Sequence, residues 1–494
     1  MKPNKFYVTT PIYYVTAAPH LGSLYSTLLA DVAARYHRMM GQEVFFLTGT
    51  DEHGQKVAEA AKKAGKNPKE FVDGFIDSYT SMWKLYEIEY TKFIRTTDEY
   101  HVHAVQTWIS RLLKQGDIYK GSYTGWYCTP CETFVTEKDH PGAASSFAEA
   151  SIKEVTCPSC LRPTNQISEE CYFFRLSAYQ DKLLQFFEKH PDFITPKERL
   201  HEVISFIKDG LKDLSISRTT VSWGIPFPGD SKHVTYVWAD ALNNYITAIG
   251  YGRPEGEKDL HFWWPADLQI LGKDIVRFHA IYWPAFLMAS GLEMPKKLLV
   301  HGWIKVGDAK MSKSLGNAVD PRNIQGSAAP SSSGLTRGPS NINSSWSSES
   351  IKLQQQCEKM IQESLALIEQ GFFYRAVNHV WEYINHVNSY FHASQPWKLA
   401  TSNPEKFQET IAATVYSLRA IAVMLWPVMP QKMEMLLESI GYTLPEDQAM
   451  IGTLGSWNDR LTIKKIETLF KKYEKIMEEK TIPAVAPEVE INYA

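Results

Sequence analysis

Apolar and polar positions change between two periods over roughly the first 115 residues. The stretch "KFYVTTPIYYV" (5–15) is apolar and β-branched and predicts a strand, whereas "STLLADVAARYHRMMG" (26–41) has helical apolar spacing and ends on a glycine. "EVFFLTGTDEHG" (43–54) then predicts a buried strand followed by a polar loop. Strands that alternate with helices in this way favour a parallel sheet with helices on its faces.

This pattern is interrupted and later resumes. From about residue 117 to 170 the periodicity breaks up, and helical spacing returns over "CYFFRLSAYQDKLLQFFEKH" (171–190). Strand-like runs follow at "DLQILG" (267–272) and "KLLVHGWIKV" (297–306). The sequence therefore predicts one α/β domain that is split by an insertion.

A different composition follows the last of these strands. Fifteen of the 25 residues in 326–350 are Ser, Gly or Pro, which is typical of a flexible linker. Amphipathic helical patterns then cover 351–371, 376–394 and 410–441, so we expect a separate helical domain. The tail "TIPAVAPEVEINYA" (481–494) is punctuated by proline and is predicted to be a linker or a frayed end.

The overall composition is that of an ordinary globular chain. Of 494 residues, 44% are hydrophobic and 22% are charged. The net charge of −3 argues neither for nor against a nucleic-acid partner, because a basic face can hide within a neutral total. No window approaches the roughly 18 apolar residues of a membrane span, and the N-terminus lacks the apolar core of a signal peptide. We expect a cytoplasmic protein with no membrane partner.

Four of the six cysteines form two pairs, "CTPC" and "CPSC", with 25 residues between the pairs. In a long chain without a signal peptide this pattern favours a metal over disulfides, with redox pairs or idle thiols as the alternatives. Four thiolates make a closed, tetrahedral, structural zinc site. The predicted ligands are Cys128, Cys131, Cys157 and Cys160.

A first candidate site lies in "APHLGS" (18–23), between the first predicted strand and helix. Gly22 has no Cβ, so a ligand can approach the backbone, and the helix N-terminus that follows favours a phosphate. His20 could donate a hydrogen bond to a phosphate oxygen there. The alternative is a turn whose histidine only caps the helix.

A second candidate site is the polar loop "DAKMSKSLGN" (308–317). Lys310 and Lys313 suit a mobile loop that clamps a polyphosphate, because each ammonium can follow the phosphoryl oxygens as their charge shifts. Two lysines in a surface loop are by themselves usually just solvated. Their pairing with His20 across a split α/β domain favours the phosphate site.

These two stretches resemble the two signatures of class I aminoacyl-tRNA synthetases. "PHLGS" is followed some 290 residues later by "KMSKS", and "TTPIYYV", "TGTDEHG", "WGIPFP" and "GKDIVRFHAIYWPAFL" are similar to the methionyl-tRNA synthetase family in particular. The likeness covers 5–325 and resumes over about 372–440. It implies an α/β fold: a Rossmann-like, parallel-sheet catalytic domain that is split by a zinc-knuckle insertion and followed by an α-helical anticodon-binding domain.

The resemblance divides the chain into six parts. They are the first half of the catalytic domain (1–116), the connective insertion with the zinc knuckle (117–215), the second half with the KMSKS loop (216–325), the atypical linker (326–350), the anticodon-binding domain (351–480) and the tail (481–494). The insertion is too short to contain the large editing domain of the synthetases for isoleucine, valine and leucine.

The resemblance also implies an activity. The family joins L-methionine to AMP with release of pyrophosphate and then transfers the methionyl group to tRNA(Met). The implied cofactors are ATP, Mg²⁺ and one structural Zn²⁺ per chain; no oligomeric state is implied. Because no covalent enzyme intermediate is expected, the site should mainly position the reactants and stabilise charge.

Site residues follow from the resemblance position by position. His20, Lys310 and Lys313 are implied as catalytic. The implied ATP contacts are His20, Gly22, Ser23, Gly272, Asp274, Lys310 and Lys313. The implied methionine contacts are Ile12, Tyr14, Asp51, Trp238, Ala241, Tyr245, Ile275, His279 and Trp283. Trp397 matches a position that stacks an anticodon base, and Arg218 is a weaker candidate for a phosphate or carboxylate contact.

Three departures from the family pattern stand out. Ser23 replaces a second histidine and carries no positive charge, and Thr16 stands where asparagine is more common. Residues 326–350 resemble neither the segment that contacts the inner tRNA stem nor the first helix of the anticodon domain. Two hypotheses explain this difference: a natural shortening of the chain, or foreign sequence at this place. The adenylation residues all precede this segment, so it is the transfer to tRNA that is put in question.

Three other functions are compatible with the sequence. Another class I synthetase would activate leucine or cysteine instead of methionine. A small nucleotidyltransferase would share the phosphate loops, although the length and the helical C-terminal domain oppose it. A catalytically impaired tRNA-binding relative would bind RNA without any pyrophosphate exchange.

Overall fold

The computed structural model describes residues 4–128, 133–135, 155–158, 161–306, 309–310, 346–454, 463–464, 466, 469–470 and 489–491. They fall into two compact units. One comprises Phe6–Ala30, Phe45–Ile324 and Glu488–Ala494, and the other comprises Met1–Lys5, Asp31–Val44 and Gln325–Pro487.

The described strands are β1 (Lys5–Thr9), β2 (Tyr13–Tyr14), β3 (Glu43–Asp51), β4 (Lys92–Arg95), β5 (Ile118–Cys128), β6 (Thr133–Val135), β7 (Asn165–Phe174), β8 (Ile194–Thr195), β9 (Leu214–Ser215), β10 (Ser217–Arg218), β11 (Val234–Thr235), β12 (Leu268–Gly272), β13 (Leu298–His301), β14 (Ile304–Val306), β15 (Ala309–Lys310) and β16 (Val489–Ile491).

The described α-helices are α1 (Leu21–Met39), α2 (Gln55–Lys63), α3 (Pro68–Asp73), α4 (Ile76–Leu85), α5 (Glu99–Gln115), α6 (Gln180–Lys189), α7 (Lys197–Lys208), α8 (Val237–Ala241), α9 (Asn244–Thr247), α10 (Glu257–Trp263), α11 (Trp283–Ser290), α12 (Ser348–Glu369), α13 (Phe373–Ser394), α14 (Pro396–Ser402), α15 (Pro404–Leu425) and α16 (Pro430–Ser439). A π-helical turn (Phe278–Tyr282) precedes α11.

A seven-stranded sheet forms the centre of the first unit, in the order β2-β3-β1-β12-β13-β8 with β4 also paired to β3. The pairs β1–β12, β12–β13, β13–β8, β2–β3 and β3–β4 are parallel. The sheet is covered on its faces, and β1 is buried along its whole length. The predicted α/β fold with a parallel sheet is confirmed.

The predicted insertion, 117–215, contains a second, antiparallel sheet in the order β6-β5-β7-β9. Its long pair, β5 with β7, runs in register from Ile118 opposite Phe174 to Tyr127 opposite Asn165. The structure differs from the prediction at β8, which lies within this range but pairs with β13 of the main sheet. Ile194 is fully buried there, so this part of the range belongs to the main sheet.

A small sheet, β15-β14-β16, includes Ala309 and Lys310 from the start of the candidate lysine loop. The strand β16 pairs antiparallel with β14, with Ile491 opposite Ile304 and Val489 opposite Val306. We expected the tail 481–494 to be a linker or a frayed end. This part of it instead forms a strand, because β14 offers it an unpaired backbone edge.

The second unit is helical, as predicted, and is formed by α12, α13, α15 and the shorter α14 and α16. The helix α12 begins at Ser348, inside the predicted linker 326–350. Its start is fixed by Glu409 of α15, which accepts hydrogen bonds from the backbone N (2.9 Å) and Oγ (2.5 Å) of Ser347. Residues 326–345 lie outside the described part of the chain.

Residues 31–44, predicted as part of the catalytic domain, group with the helical unit. The ring of Tyr36 stacks on Phe373 at 6.3 Å, and its hydroxyl donates to the carbonyl oxygen of Met424 (3.0 Å). The guanidinium of Arg35 lies 5.3 Å from the ring of Trp426. These packing contacts explain the grouping, which helical periodicity alone does not reveal.

None of the helices in the described ranges combines the length and the apolar character needed to cross a membrane.

Candidate active site

The candidate site is built at the carboxyl ends of the parallel strands. β3 ends at Asp51, β12 ends at Gly272, and β1 runs into the loop that carries Ile12. Because β3, β1 and β12 are neighbours in the sheet, these ends meet at one edge, where α/β folds bind their ligands. Tyr14 joins them, since it pairs in register with Asp51.

His20 stands just before α1 and caps it. Its Nδ1 accepts a hydrogen bond from the backbone N of Ser23 (3.2 Å), so the capping role is observed. In a neutral ring the proton is then on Nε2, which is the donor that a phosphate oxygen would require. A Cβ on Gly22 would lie only 2.8 Å from Cε1 of His20, so the histidine needs a glycine at this position. Capping and phosphate binding are therefore compatible roles.

Asp274 follows Gly272 in a 3-10 turn and is exposed. The indole N–H of Trp303 donates a hydrogen bond to its carboxylate. The ammonium of Lys273 lies 3.7 Å from the centroid of the same indole ring. The carboxylate expected to contact the ATP ribose therefore lies just after β12 and accepts a hydrogen bond from a residue between β13 and β14.

Tyr245, His279 and Trp283 are buried and pack as one aromatic cluster, which is the buried part of the predicted methionine pocket. The Tyr245 hydroxyl lies 2.7 Å from Nε2 of His279, and its ring centroid lies 5.8 Å from that of Trp283. Nδ1 of His279 lies 2.9 Å from the carbonyl oxygen of Ile275. Burial lowers the pKa of His279 to about 4, so the ring is neutral at pH 7. Its Nδ1 therefore donates to the carbonyl and its Nε2 accepts from Tyr245.

The half-buried part of the pocket packs against these residues. Trp238, on α8, stacks on Phe278 with 3.7 Å between ring centroids and 5° between planes. Ala241, on the same helix, is buried. The pocket positions that pack half-buried against the same core are Ile12, Tyr14, Trp238 and Ile275. Aromatic and aliphatic groups of this kind suit a thioether side chain, and their contact with methionine stays a prediction.

The candidate lysine loop is described only at its start. The backbone of Lys310, in β15, pairs with that of Lys305, in β14. The side chain of Lys310 and the whole of Lys313 lie outside the described part of the chain, so their roles stay predictions.

Cys128 and Cys157, one cysteine of each pair, lie beside two separate turns of the insertion. Cys128 ends β5 and pairs with Thr133 of β6. Cys157 begins a tight turn: its N–H donates to the carbonyl of Arg162 (2.8 Å), and its carbonyl accepts from the N–H of Leu161 (2.8 Å). Cys128 and Cys157 are both buried in one small cluster with Val135 and Val155.

This arrangement fits the predicted zinc ligands as far as they are described. Tyr127 of β5 lies opposite Asn165 of β7, so both turns lie at the same end of the sheet. Cys131 and Cys160 lie outside the described residues, and the described ones include no group of three or more potential metal ligands.

Trp397, the predicted anticodon contact, lies on α14 with 57% of its surface exposed. The rings of Phe391 and His392 lie 6.4 and 6.3 Å from it between centroids and are inclined to it by 61° and 67°. Its indole is therefore braced by two side chains and still accessible.

Arg218, the weaker candidate, is buried in β10. Its Nη1 donates to Oγ of Ser215 (2.8 Å) and to the carbonyl of Ser217 (2.7 Å), and its guanidinium lies 4.6 Å from the ring of Tyr236. These contacts give it a role in local packing, and a phosphate or carboxylate contact stays a prediction.

Two buried carboxylates near the pocket were missed by the sequence reasoning. Glu52, next to Asp51, accepts two hydrogen bonds from Arg95 at 2.7 and 2.9 Å. Asp240, on α8, lies between the imidazoles of His53 and His101. For Glu52 the signal in the sequence was the run "TDEHG" at the end of a buried strand, where three ionisable residues in a row are costly to bury without partners.

Comparison with known proteins gives the same family at every level. Residues 6–332 match the family model described as tRNA synthetases class I (M). The sequence is 40% identical to a methionine–tRNA ligase of Thermotoga maritima over 98% of this chain and 83% of the relative. It is 38% identical to one of Rickettsia bellii over 90% of this chain and 94% of the relative. A crystal structure of Mycobacterium tuberculosis methionyl-tRNA synthetase bound by methionyl-adenylate is similar with a TM-score of 0.84 and 32% identity, over 95% of this chain and 100% of that one. The chain therefore belongs to the family that this model describes, the tRNA synthetases class I (M).

Proposed function

We propose that the chain is a methionine–tRNA ligase. It activates L-methionine with ATP to methionyl-adenylate and pyrophosphate, and then transfers the methionyl group to tRNA(Met) for protein biosynthesis. The observation that carries this proposal is the buried ring cluster of Tyr245, His279 and Trp283, which is tied to the carboxyl end of β12 by the contact of His279 Nδ1 with the carbonyl oxygen of Ile275. It is supported by the similarity of almost the whole chain to methionine–tRNA ligases.

In the first step a methionine carboxylate oxygen attacks the α-phosphorus of ATP, and the bond to pyrophosphate breaks. Asp51, at the end of β3, pairs with the substrate ammonium, and the aromatic pocket takes the thioether. Because the protein forms no covalent bond, its contribution is to hold the two reactants in line.

The phosphates lie at the N-terminus of α1, where the backbone N–H groups and the Nε2–H of His20 can donate to them. Lys310 and Lys313 follow the charge onto the leaving pyrophosphate. Mg²⁺, arriving with the ATP phosphates, would neutralise part of their charge. Asp274 accepts from the ribose hydroxyls.

In the second step a hydroxyl of the terminal ribose of tRNA attacks the methionyl carbonyl of methionyl-adenylate, the bond to the phosphate breaks and AMP leaves. Trp397 stacks an anticodon base, and its braced, exposed indole supports that role. Cys128, Cys131, Cys157 and Cys160 would hold one structural zinc ion that ties the two turns of the insertion together. The cytoplasmic location predicted from the sequence stays a prediction.

The test is ATP–pyrophosphate exchange with methionine, leucine and cysteine in parallel. Exchange that depends on methionine, and fails with the other two, is expected. Exchange with leucine or cysteine in its place would identify another class I synthetase. RNA binding without exchange for any amino acid would show a catalytically impaired relative. Charging of tRNA(Met) by the same preparation then tests the second step, including the segment 326–350.

A further inference from the structure

We propose that Asp240 is a positioning residue that fixes the shape of the methionine pocket from behind, by joining three elements that carry pocket residues. This inference rests on the proposed function and names a residue that the family resemblance did not assign. Asp240 is fully buried on the short helix α8.

Asp240 accepts hydrogen bonds from two histidines on different elements. Nδ1 of His53 lies 2.7 Å from its Oδ2, and Nε2 of His101 lies 2.8 Å from its Oδ1. His101 is fully buried on α5, and His53 is buried in the loop after β3. Both carboxylate oxygens are thus engaged by N–H donors in a site that water does not reach.

The carboxylate remains ionised in this site. Burial by itself raises the pKa of Asp240, but the nearby His53 and the hydrogen bonds from both imidazoles outweigh it and hold the pKa below its usual value. An ionised carboxylate only accepts hydrogen bonds, so each histidine must present an N–H to it. The ring nitrogen that faces Asp240 therefore carries a proton in both histidines.

His101 extends the connection to a third element. Its Nδ1 lies 2.7 Å from Oγ1 of Thr247, which is fully buried at the end of α9. With the ring proton on Nε2, this nitrogen accepts a hydrogen bond from the threonine hydroxyl. A continuous chain of hydrogen bonds therefore runs from His53 through Asp240 and His101 to Thr247.

Each anchor lies two residues from a pocket residue. His53 follows Asp51, Asp240 follows Trp238, and Thr247 follows Tyr245. At roughly 100° of rotation per helical residue, positions two apart point to nearly opposite sides. The anchors on α8 and α9 therefore face away from the pocket that Trp238 and Tyr245 line, so they do not contact methionine themselves.

The connection sets the distance between two parts of the substrate site. Asp51 is expected to bind the ammonium group of methionine, whereas Trp238 and Tyr245 are expected to line the thioether. Loss of the Asp240 carboxylate would leave two buried N–H donors without an acceptor and free the three elements to shift. The expected ATP contacts lie at the start of α1, at and just after the end of β12, and in the lysine loop. None of these segments carries His53, Asp240 or Thr247, so methionine binding should weaken and ATP binding should not.

The experiment compares the full-length Asp240→Ala and Asp240→Asn variants with the unaltered chain in the exchange reaction. Asp240→Ala should raise KM for methionine at least tenfold and leave KM for ATP within twofold. Asp240→Asn should stay within about threefold, because its amide can accept from His53 and donate to the other tautomer of His101. A purely structural role would affect both substrates together.

Asp213→Ala is the matched control. This carboxylate also joins two segments, by accepting from the hydroxyls of Tyr119 (2.8 Å) and Ser177 (2.6 Å) in the insertion. It should lower Tm without changing either KM. If Asp240→Ala does not fold, the pair His53→Ala and His53→Asn replaces it, because an asparagine amide N–H can stand in for Nδ1–H. The loss in KM for methionine should then occur with alanine only.

Failure of this inference can be separated from failure of the proposed function. A chain that shows no methionine-dependent exchange refutes the function. Calorimetric titration with methionine gives the affinity of each variant whether or not exchange occurs. The inference is overturned if Asp240→Ala binds methionine with an affinity, or shows a KM for methionine, within twofold of the unaltered chain. It is also overturned if Asp240→Ala raises KM for ATP as much as KM for methionine, or if the unaltered chain has no affinity for methionine.

Discussion

The hydroxyl of Tyr245 and Nε2 of His279 lie 2.7 Å apart inside a pocket in which both rings are buried. This bond requires an unprotonated Nε2, because the other nitrogen of His279 already donates to the carbonyl of Ile275. In a protonated imidazole Nε2 carries a proton and cannot accept a hydrogen bond from the hydroxyl, and the ring would also place a positive charge among buried aromatic side chains. The two hydrogen bonds of His279 therefore require the neutral form of its imidazole.

A first prediction concerns the stability of the protein in mild acid. Burial lowers the folded pKa of His279 to about 4, from its ordinary value of 6.5. The unfolded chain therefore binds a proton between these values and the folded chain does not, so stability is complete above pH 6.5 and falls as pH decreases towards 4. At about 1.36 kcal/mol for each pKa unit, this costs roughly 2 kcal/mol by pH 5.

Urea unfolding at pH 7.5, 6 and 5 measures the effect. His279→Gln removes the titrating ring, so its free energy of unfolding should fall less with acid than that of the unaltered chain. His261→Gln is the control, because His261 is exposed with 77% of its side-chain surface accessible. Parallel curves for the unaltered chain and His279→Gln would contradict the prediction.

A second prediction separates the two roles of His20. Its Nδ1 accepts from the N–H of Ser23, and asparagine can accept the same bond because it is a good N-cap residue. Asparagine cannot replace Nε2 as a donor to phosphate. Both His20→Ala and His20→Asn should lose roughly 100- to 1000-fold in the exchange rate, whereas only His20→Ala should lose about 1 kcal/mol of stability.

Exchange rates and thermal unfolding of the two variants provide the measurement. If His20→Asn kept the exchange rate of the unaltered chain while His20→Ala lost stability, the histidine would be a helix cap only. The phosphate role would then have to pass to the lysine loop.

The parallel sheet could be predicted because its signal is local. Each central strand, such as β1 or β12, is a short apolar run that is buried on both faces, and the helices between them show their own period. The strands that escaped prediction are those that depend on distant partners. β8 has only two residues, and β16 lies in a tail with many prolines, so neither shows a period that can be recognised.

The residues of the candidate site also differ in how far they could be predicted, according to whether their signal is local. The two signatures and the aromatic pocket are carried by continuous stretches of sequence and were found by resemblance. Asp240 sits in the apolar stretch "YVWADAL", where one acidic residue is unremarkable. Its partners His53 and His101 are 187 and 139 residues away, so only the folded chain shows that this carboxylate is buried and doubly bonded.

A third prediction concerns zinc. Cys128 and Cys157 lie in one buried cluster beside two separate turns of the insertion, and we expect one zinc ion per chain bound there. Cys157→Ser should lose that ion and lower Tm, because structural zinc contributes directly to folding. The methionine pocket is built by other elements, so KM for methionine should stay within about twofold.

Zinc content by atomic absorption, together with Tm, is the measurement. Cys171→Ser is the matched control, because Cys171 is also buried in the insertion sheet, opposite Gly121 on β5. It should keep its zinc. A preparation of the unaltered chain with less than about a tenth of an equivalent of zinc after purification without chelators would refute the site.

The last prediction concerns recognition of tRNA. Trp397 is 57% exposed, and its indole is braced by the rings of Phe391 and His392. A held but accessible ring can stack on a base without first losing side-chain freedom. Trp397→Ala should therefore weaken tRNA(Met) binding by about 1–3 kcal/mol, roughly 5- to 150-fold in Kd. It should leave methionine-dependent exchange unchanged, because exchange needs no tRNA.

Trp381→Ala provides the comparison, since Trp381 is similarly exposed (50%) on α13 of the same helical unit. Filter binding with tRNA(Met), and with the same tRNA carrying a changed anticodon, measures both variants. If Trp397 stacks an anticodon base, its loss should reduce the difference between the two tRNAs, whereas the loss of Trp381 should not. Equal losses for both variants and both tRNAs would instead show that exposed aromatic surface, rather than anticodon stacking, accounts for the binding.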